Sequence, residues 1–220
     1  MINNWKLGLK SLKYAYGIKP NFFLMIVFLL ISLVFYTIGP KINSRFLGGY
    51  MLMCMAILPT QMVYSLSVSN IVQSSPLKKK MQTIVPAVFT CGNLVIMYSI
   101  NVLIYGVMVW VHPESVLEMG NEVLLLAVTM MVMSIYMGLA YKYFVVSVIM
   151  FLFVYFSLYT GRNFVILDQF GSGVVFFGTM ALLGLVSVVA GGFMQYLVSL
   201  LVYKAPMSKM AQVASLRKEL

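Results

Sequence analysis

Charge is scarce in this sequence, and acidic charge scarcer still. Only 9% of the 220 residues are Asp, Glu, Lys or Arg, against roughly 25% in an ordinary soluble domain. Five acidic residues stand against fifteen basic ones. His112 is the one histidine, which excludes an HExxH metalloprotease and leaves a Ser–His hydrolase hard to build. No stretch follows the G-x-x-x-x-G-K-[ST] pattern, so the chain does not hold ATP in the P-loop manner. Ser172 lies between Gly171 and Gly173, but a lone Gly-Ser-Gly reads as a flexible loop rather than a nucleophile elbow. No catalytic residue, metal set or bound cofactor is expected on this chain. Cysteine is nearly absent too. Cys54 and Cys91 both fall in apolar runs, where they act as small hydrophobes rather than a disulfide framework.

What the sequence does have is apolar surface. Hydrophobic residues make up 62% of it, and its mean hydropathy is +0.97. A soluble fold of this size cannot hide that much, so the solvent is lipid. A helical span needs roughly 20 apolar residues, so the length accommodates six spans and little else. Any ATPase or sensor domain is expected on another polypeptide. The apolar runs place the spans at about residues 21–39, 47–70, 84–111, 122–141, 143–160 and 174–203. The third and sixth exceed the requirement and are expected to tilt or to project beyond the lipid. The fold class expected is an all-α integral membrane protein of six transmembrane helices.

The basic residues fix the orientation. With the N-terminus inside, Lys6, Lys10, Lys13, Lys19, Lys78, Lys79, Lys80, Lys142, Lys204, Lys209, Arg217 and Lys218 are cytoplasmic, and only Lys41, Arg45 and Arg162 are outside. That split follows the positive-inside rule, and both termini are then cytoplasmic. Glu114, Glu118, Glu122 and Asp168 fall outside and Glu219 inside. The net charge of +10 thus reads as anchoring to anionic lipid, not as a nucleic-acid surface.

The first twenty residues hold four lysines and no continuous apolar run, unlike a cleavable signal peptide. Instead Ile2, Trp5, Leu9, Leu12 and Tyr16 recur at helical spacing, with Lys6, Lys10 and Lys13 to one side. Such an amphipathic helix lies in the membrane interface with its lysines snorkelling. No internal 3+3 repeat is evident. The span centres carry no unpaired Asp, Lys or Arg, which weighs against ion coupling.

Polar residues inside the spans form stripes. Gln61, Ser65 and Ser69 recur every fourth residue in the second span. Thr90, Asn93, Met97, Asn101 and Tyr105 share a face of the third. Gly184, Ser187, Gly191, Gln195 and Ser199 run down the sixth. Small and amide residues in such stripes let helices approach and bond across the gap; alternatively Gln61, Ser65, Asn93, Asn101 and Gln195 line a substrate path or a dimer interface. Glu114, Glu118 and Glu122 are spaced four apart and could hold a cation on one helix face. The plainer reading is acids at a helix N-terminus begun by Pro113, with Gly120 interrupting the helix.

The most distinctive segment follows the second span. Residues 71–83 form a loop containing Gln73, Ser74, Ser75, Pro76, Leu77, Lys78, Lys79 and Lys80. This loop resembles the one that follows the second span in ABC type-2 transporter permeases, where Pro precedes a basic pair. The layout is similar along nearly the whole chain: a basic amphipathic N-terminal helix, six spans, a helix-bearing loop after the second, and a Gly-containing stretch from Gly161 to Gly173 like the family's re-entrant outer segments. The resemblance implies that Gln73 to Lys80 carry the coupling helix that inserts into a cytosolic ABC ATPase, with the helix from Trp5 to Tyr16 alongside. It also implies two permease copies with two ATPase subunits, and ATP and Mg bound on the partner alone. The short first loop and the lack of an added outer domain resemble the compact bacterial exporters of peptides, bacteriocins or drugs. The function expected is therefore that of a plasma-membrane permease subunit moving an amphipathic substrate. The alternatives are a non-transporting scaffold or immunity protein, and an ion-conducting channel or carrier.

Overall fold

A computed structural model describes residues 2–15, 18–37, 42–143, 148–149, 152 and 173–206. Among them every regular element is helical. Helix α1 runs Ile2–Leu12, α2 Ile18–Thr37, α3 Ile42–Ser67, α4 Asn70–Gln73, α5 Lys78–Gln82 and α6 Ile84–Val111. A 3₁₀ turn at Pro113–Ser115 leads into α7, Val116–Ala140, and α8 covers Gly173–Tyr203. Five of these helices, α2, α3, α6, α7 and α8, are long and apolar enough to cross a membrane. At 1.5 Å per residue the 28 residues of α6 and the 31 of α8 extend about 42 and 46 Å. Both outrun the roughly 30 Å hydrocarbon core.

Helix α7 is the inner post of the bundle. It packs along α8 over most of its length and touches α6 and α3. Val123, Leu126, Ala127, Met130 and Met137 are buried on it. The fit with α8 depends on missing side chains. A Cβ at Gly191 would lie 2.7 Å from the Met131 Cα, and one at Gly184 would overlap the Tyr98 hydroxyl. Lipid tails are as apolar as leucine, so close packing and interhelical hydrogen bonds hold such helices together. Helix α6 turns Leu94, Tyr98, Asn101, Tyr105 and Val109 inward and Ile96, Ile100, Leu103, Val107 and Trp110 outward. Helix α2 is peripheral; on it only Ser32 is buried.

The observed spans differ from the expected ones mainly at their charged ends. The third agrees at Ile84–Val111. The second begins earlier, at Ile42, because Arg45 is taken into the helix and buried. The fourth begins at Val116, not at residue 122. Gly120 does not interrupt it: the ring of Phe176 occupies the space beside that glycine, 2.6 Å from where a Cβ would be. The fifth expected span, residues 143–160, lies almost wholly outside the described residues, as does the stretch after Gly161. Tyr16, Lys41, Arg162, Asp168, Lys209, Arg217, Lys218 and Glu219 also lie outside them.

Candidate functional site

At the end of the bundle that carries Lys78, Lys79 and Lys80, helices α4 and α5 fold the loop into a ledge. Its underside is pinned. The side-chain amides of Gln73 and Gln82 both donate to the Ser67 carbonyl, at 3.1 and 3.2 Å. That carbonyl ends α3 and would otherwise lack a helical partner. The Thr83 hydroxyl donates to Lys79 O at 2.7 Å, and Met81 is buried beside Val63, Val85 and Phe89. The upper side is open: Ser74, Pro76, Leu77, Lys79 and Lys80 are exposed, and Ser75 and Lys78 half-buried. Gln73 thus faces the bundle and the basic residues face away from it. Nothing in the sequence marks Gln82, since an amide between a lysine run and a long span carries no pattern of its own.

Helix α1 lies across this same end. Trp5 meets Phe89 with ring centroids 6.4 Å apart, and Trp5, Leu7 and Leu12 pack on the Val63–Met81–Val85–Phe89 cluster. A Cβ on Gly8 would lie 2.8 Å from the Phe89 ring, so the α1 backbone rests directly on α6. The buried stripe passes through Gly8, Ser11 and Ala15, one position round from the expected one. Leu9 points outward, 42% exposed, as suits a helix that meets protein on one side and lipid on the next.

A lysine joins the ends of α7 and α8. Lys142 is buried, and its Nζ donates to the carbonyls of Val202, Tyr203 and Ala205 at 2.9, 2.6 and 2.6 Å. These oxygens carry the negative end of the α8 dipole. The ammonium also lies 5.7 Å from the Tyr141 ring centroid and 5.8 Å from that of Tyr203. Burial, with Lys78 nearby, pushes its pKa below the ordinary lysine value. By sequence alone Lys142 reads as a cytoplasmic anchor. The carbonyls it holds are some sixty residues away in the chain, where no local pattern reaches.

From this clasp a polar seam enters the bundle. The Tyr141 ring stacks on Tyr64 at 4.9 Å. The Tyr64 hydroxyl pairs with the Ser199 hydroxyl at 3.1 Å and accepts from Gln195 Nε2 at 3.2 Å. Gln195 Nε2 also reaches Thr90 Oγ1 at 3.0 Å, and Thr90 donates to Thr60 at 3.1 Å. Of the five residues expected to line a path or interface, Gln195 and Asn101 are buried, Ser65 and Asn93 half-buried and Gln61 exposed. The Ser65 hydroxyl bonds its own helix at Met62 O. In α3 the seam therefore uses Thr60 and Tyr64, not the Gln61–Ser65–Ser69 stripe. In α8 Val188 takes the inward place expected for Ser187, which is half-buried. Pro59 lies inside α3, which continues unbroken through it.

At the opposite end the three glutamates do not share one environment. Glu114 is exposed and 3.3 Å from His112 Nδ1. Glu118 reaches Arg45 at 3.8 Å with half its side chain exposed. Glu122 is buried. Beside it Tyr36 donates to Asn101 Oδ1, and Ser32 donates to Gly48 O at 2.9 Å. Among the described residues, buried charge thus occurs toward helix ends, not at span centres.

No family model, curated protein or solved structure matches this chain.

Proposed function

We propose that this chain is the membrane subunit of an ATP-driven exporter of the ABC type-2 kind, working as a dimer in a bacterial plasma membrane. A separate cytosolic ATPase, in two copies, grips the ledge from Gln73 to Lys80 and supplies ATP and Mg. The observation that carries this reading is the two-sided construction of that ledge. Gln73, Gln82 and Met81 fix it to α3, α6 and α1, while Leu77, Lys79 and Lys80 are left open. A partner that pushes on such a ledge moves membrane helices as rigid bodies, where a limp loop would absorb the push. The lysines suit an acidic rim and Leu77 an apolar socket. The substrate is amphipathic, such as a hydrophobic or cationic peptide, and passes between two protomers.

The test is a tagged pull-down from native membranes comparing wild type with Leu77→Asp/Lys79→Glu. Both side chains are exposed, so the variant is expected to fold and to lose a co-purifying ATPase that the wild type retains. Absence of an ATPase from the wild-type eluate would sink the reading.

A further inference from the structure

Gln61 has no part in the ledge, the clasp or the seam. Helix α3 is withdrawn from the surface along nearly all its length, and between Arg45 and Ser67 Gln61 is its one exposed residue. On the same face, one and two turns away, Cys54, Ser65 and Val68 are half-buried. Depth follows from length. Gln61 lies about 9 Å along the helix from the end of α3 at Ser67. The 26 residues of α3 span about 39 Å, so the helix outruns a roughly 30 Å hydrocarbon core by only about 9 Å. With that whole excess at the ledge end, the amide sits at the hydrocarbon boundary. Any sharing of the excess between the two ends puts it inside.

Other polar side chains toward the outside of the spans satisfy themselves. Ser65 donates to Met62 O at 2.8 Å, Ser99 to Val95 O at 2.8 Å and Ser187 to Leu183 O at 2.9 Å. Gln61 has no side-chain hydrogen bond among the described residues, and its amide has two N–H groups and a carbonyl to place. Lipid tails offer neither donor nor acceptor, so an amide left among them costs free energy. Of the other amides expected at an interface, Asn101 and Gln195 are buried and bonded within the protomer, and Asn93 is half-buried. A carboxamide is matched by another carboxamide, each donating one N–H to the other's carbonyl. A two-fold axis brings a residue on it against its own copy. The same symmetry disfavours charge there, because like charges would meet, and Cys54, Gln61, Ser65 and Val68 carry none.

We propose that Gln61 lies on the two-fold axis of the dimer, its carboxamide paired with that of Gln61 in a second copy of this chain. Both amides leave the lipid together, and two reciprocal N–H···O bonds form between the protomers. Such bonds hold membrane helices together where apolar surface has no preference for protein over lipid. The pairing rests on the dimer proposed above and not on the ledge, so an ATPase can fail to co-purify while Gln61 still joins two copies.

The experiment is cross-linking of the full chain in native membranes with a short bifunctional thiol reagent. Two paired glutamines hold their backbones too far apart for a direct disulfide. Cys54→Ala and Cys91→Ala remove the native thiols, and Gln61→Cys or Leu103→Cys then adds one. Leu103 is 70% exposed on α6 and reports random collision. Gln61→Cys is expected to give a linked dimer severalfold more readily than Leu103→Cys. A second measurement keeps the native cysteines and counts copies per particle by single-molecule photobleaching in liposomes. There Gln61→Leu should weaken the dimer roughly fivefold to tenfold, the factor that two bonds of average strength supply. Gln61→Asn keeps the amide and should retain more dimer than Gln61→Leu. Equal cross-linking at positions 61 and 103 overturns the proposal, as does a dimer of wild-type strength in Gln61→Leu. A wild-type chain that is monomeric in liposomes removes the dimer itself, and the proposal with it.

Discussion

At the scale of single residues, Gly49 is closely hemmed in. A Cβ there would lie 2.5 Å from a Leu126 methyl and 3.0 Å from Asn101 Oδ1, at the point where α3 meets α6 and α7. Leu126 can swing aside, but Asn101 is held by its bond to Met97 O and by Tyr36. Gly49→Leu is therefore expected to cost about 1–3 kcal/mol, the usual penalty of overpacking, read as a lower thermal midpoint in detergent. Lys142→Met keeps the aliphatic stem but removes the ammonium from three part-buried carbonyls, of which Val202 O keeps the Ala205 N–H. Its expected loss is about 1–3 kcal/mol, and accelerated proteolysis near Ala205 would locate the damage. Unchanged proteolysis there would mean that the carbonyls find other donors. Gln195→Leu removes two hydrogen bonds from the seam. Bonds between membrane helices average only about 0.6 kcal/mol each, and Gln195 Oε1 has no partner of its own. This variant should cost about 1 kcal/mol, less than the other two, in the same melting assay.

At the scale of elements, α1 is the helix whose attachment is easiest to undo selectively. It holds to α6 through Trp5 over Phe89 and through the close approach at Gly8. Gly8→Leu must push the backbone away from the Phe89 ring, while α1 keeps its affinity for the membrane surface through Leu9 and its lysines. The expected result is an intact bundle with faster hydrogen exchange in α1 and α5. Normal protection of α5 would show that the ledge stands without α1. Legibility in the sequence divides along the same lines. The ends of α6 could be placed because apolar periodicity and turn residues coincide there. At the start of α7 the acids and Pro113 do mark a helix N-terminus, but Gly120 reads as a break until the Phe176 ring is known to fill the space beside it. The stripe on α1 was read one position off, since sequence shows which residues avoid water but not whether lipid or protein covers them. Gln82 and Lys142 act through carbonyls of distant segments, and carbonyls leave no mark in a sequence.

At the scale of the molecule, the ledge is wired to α3, and α3 carries both Tyr64 of the seam and, toward its far end, Arg45 and Gly49. A tilt of α3 imposed at the lysines would therefore be felt at the Arg45–Glu118 contact, about thirty-three ångströms away by helix length.

The Lys142 clasp also sets an order of assembly. The lysine leaves the ribosome long before the carbonyls of Val202, Tyr203 and Ala205 exist, because they lie 60, 61 and 63 residues further along the chain. At about 5–20 residues per second that delay is several seconds, during which α7 is complete but its end is unsecured. The clasp is thus a closing step of biogenesis. A chain stopped short of Val202 would carry a buried ammonium with nothing to hold, which is the kind of defect by which a quality-control protease can tell an unfinished membrane protein from a finished one.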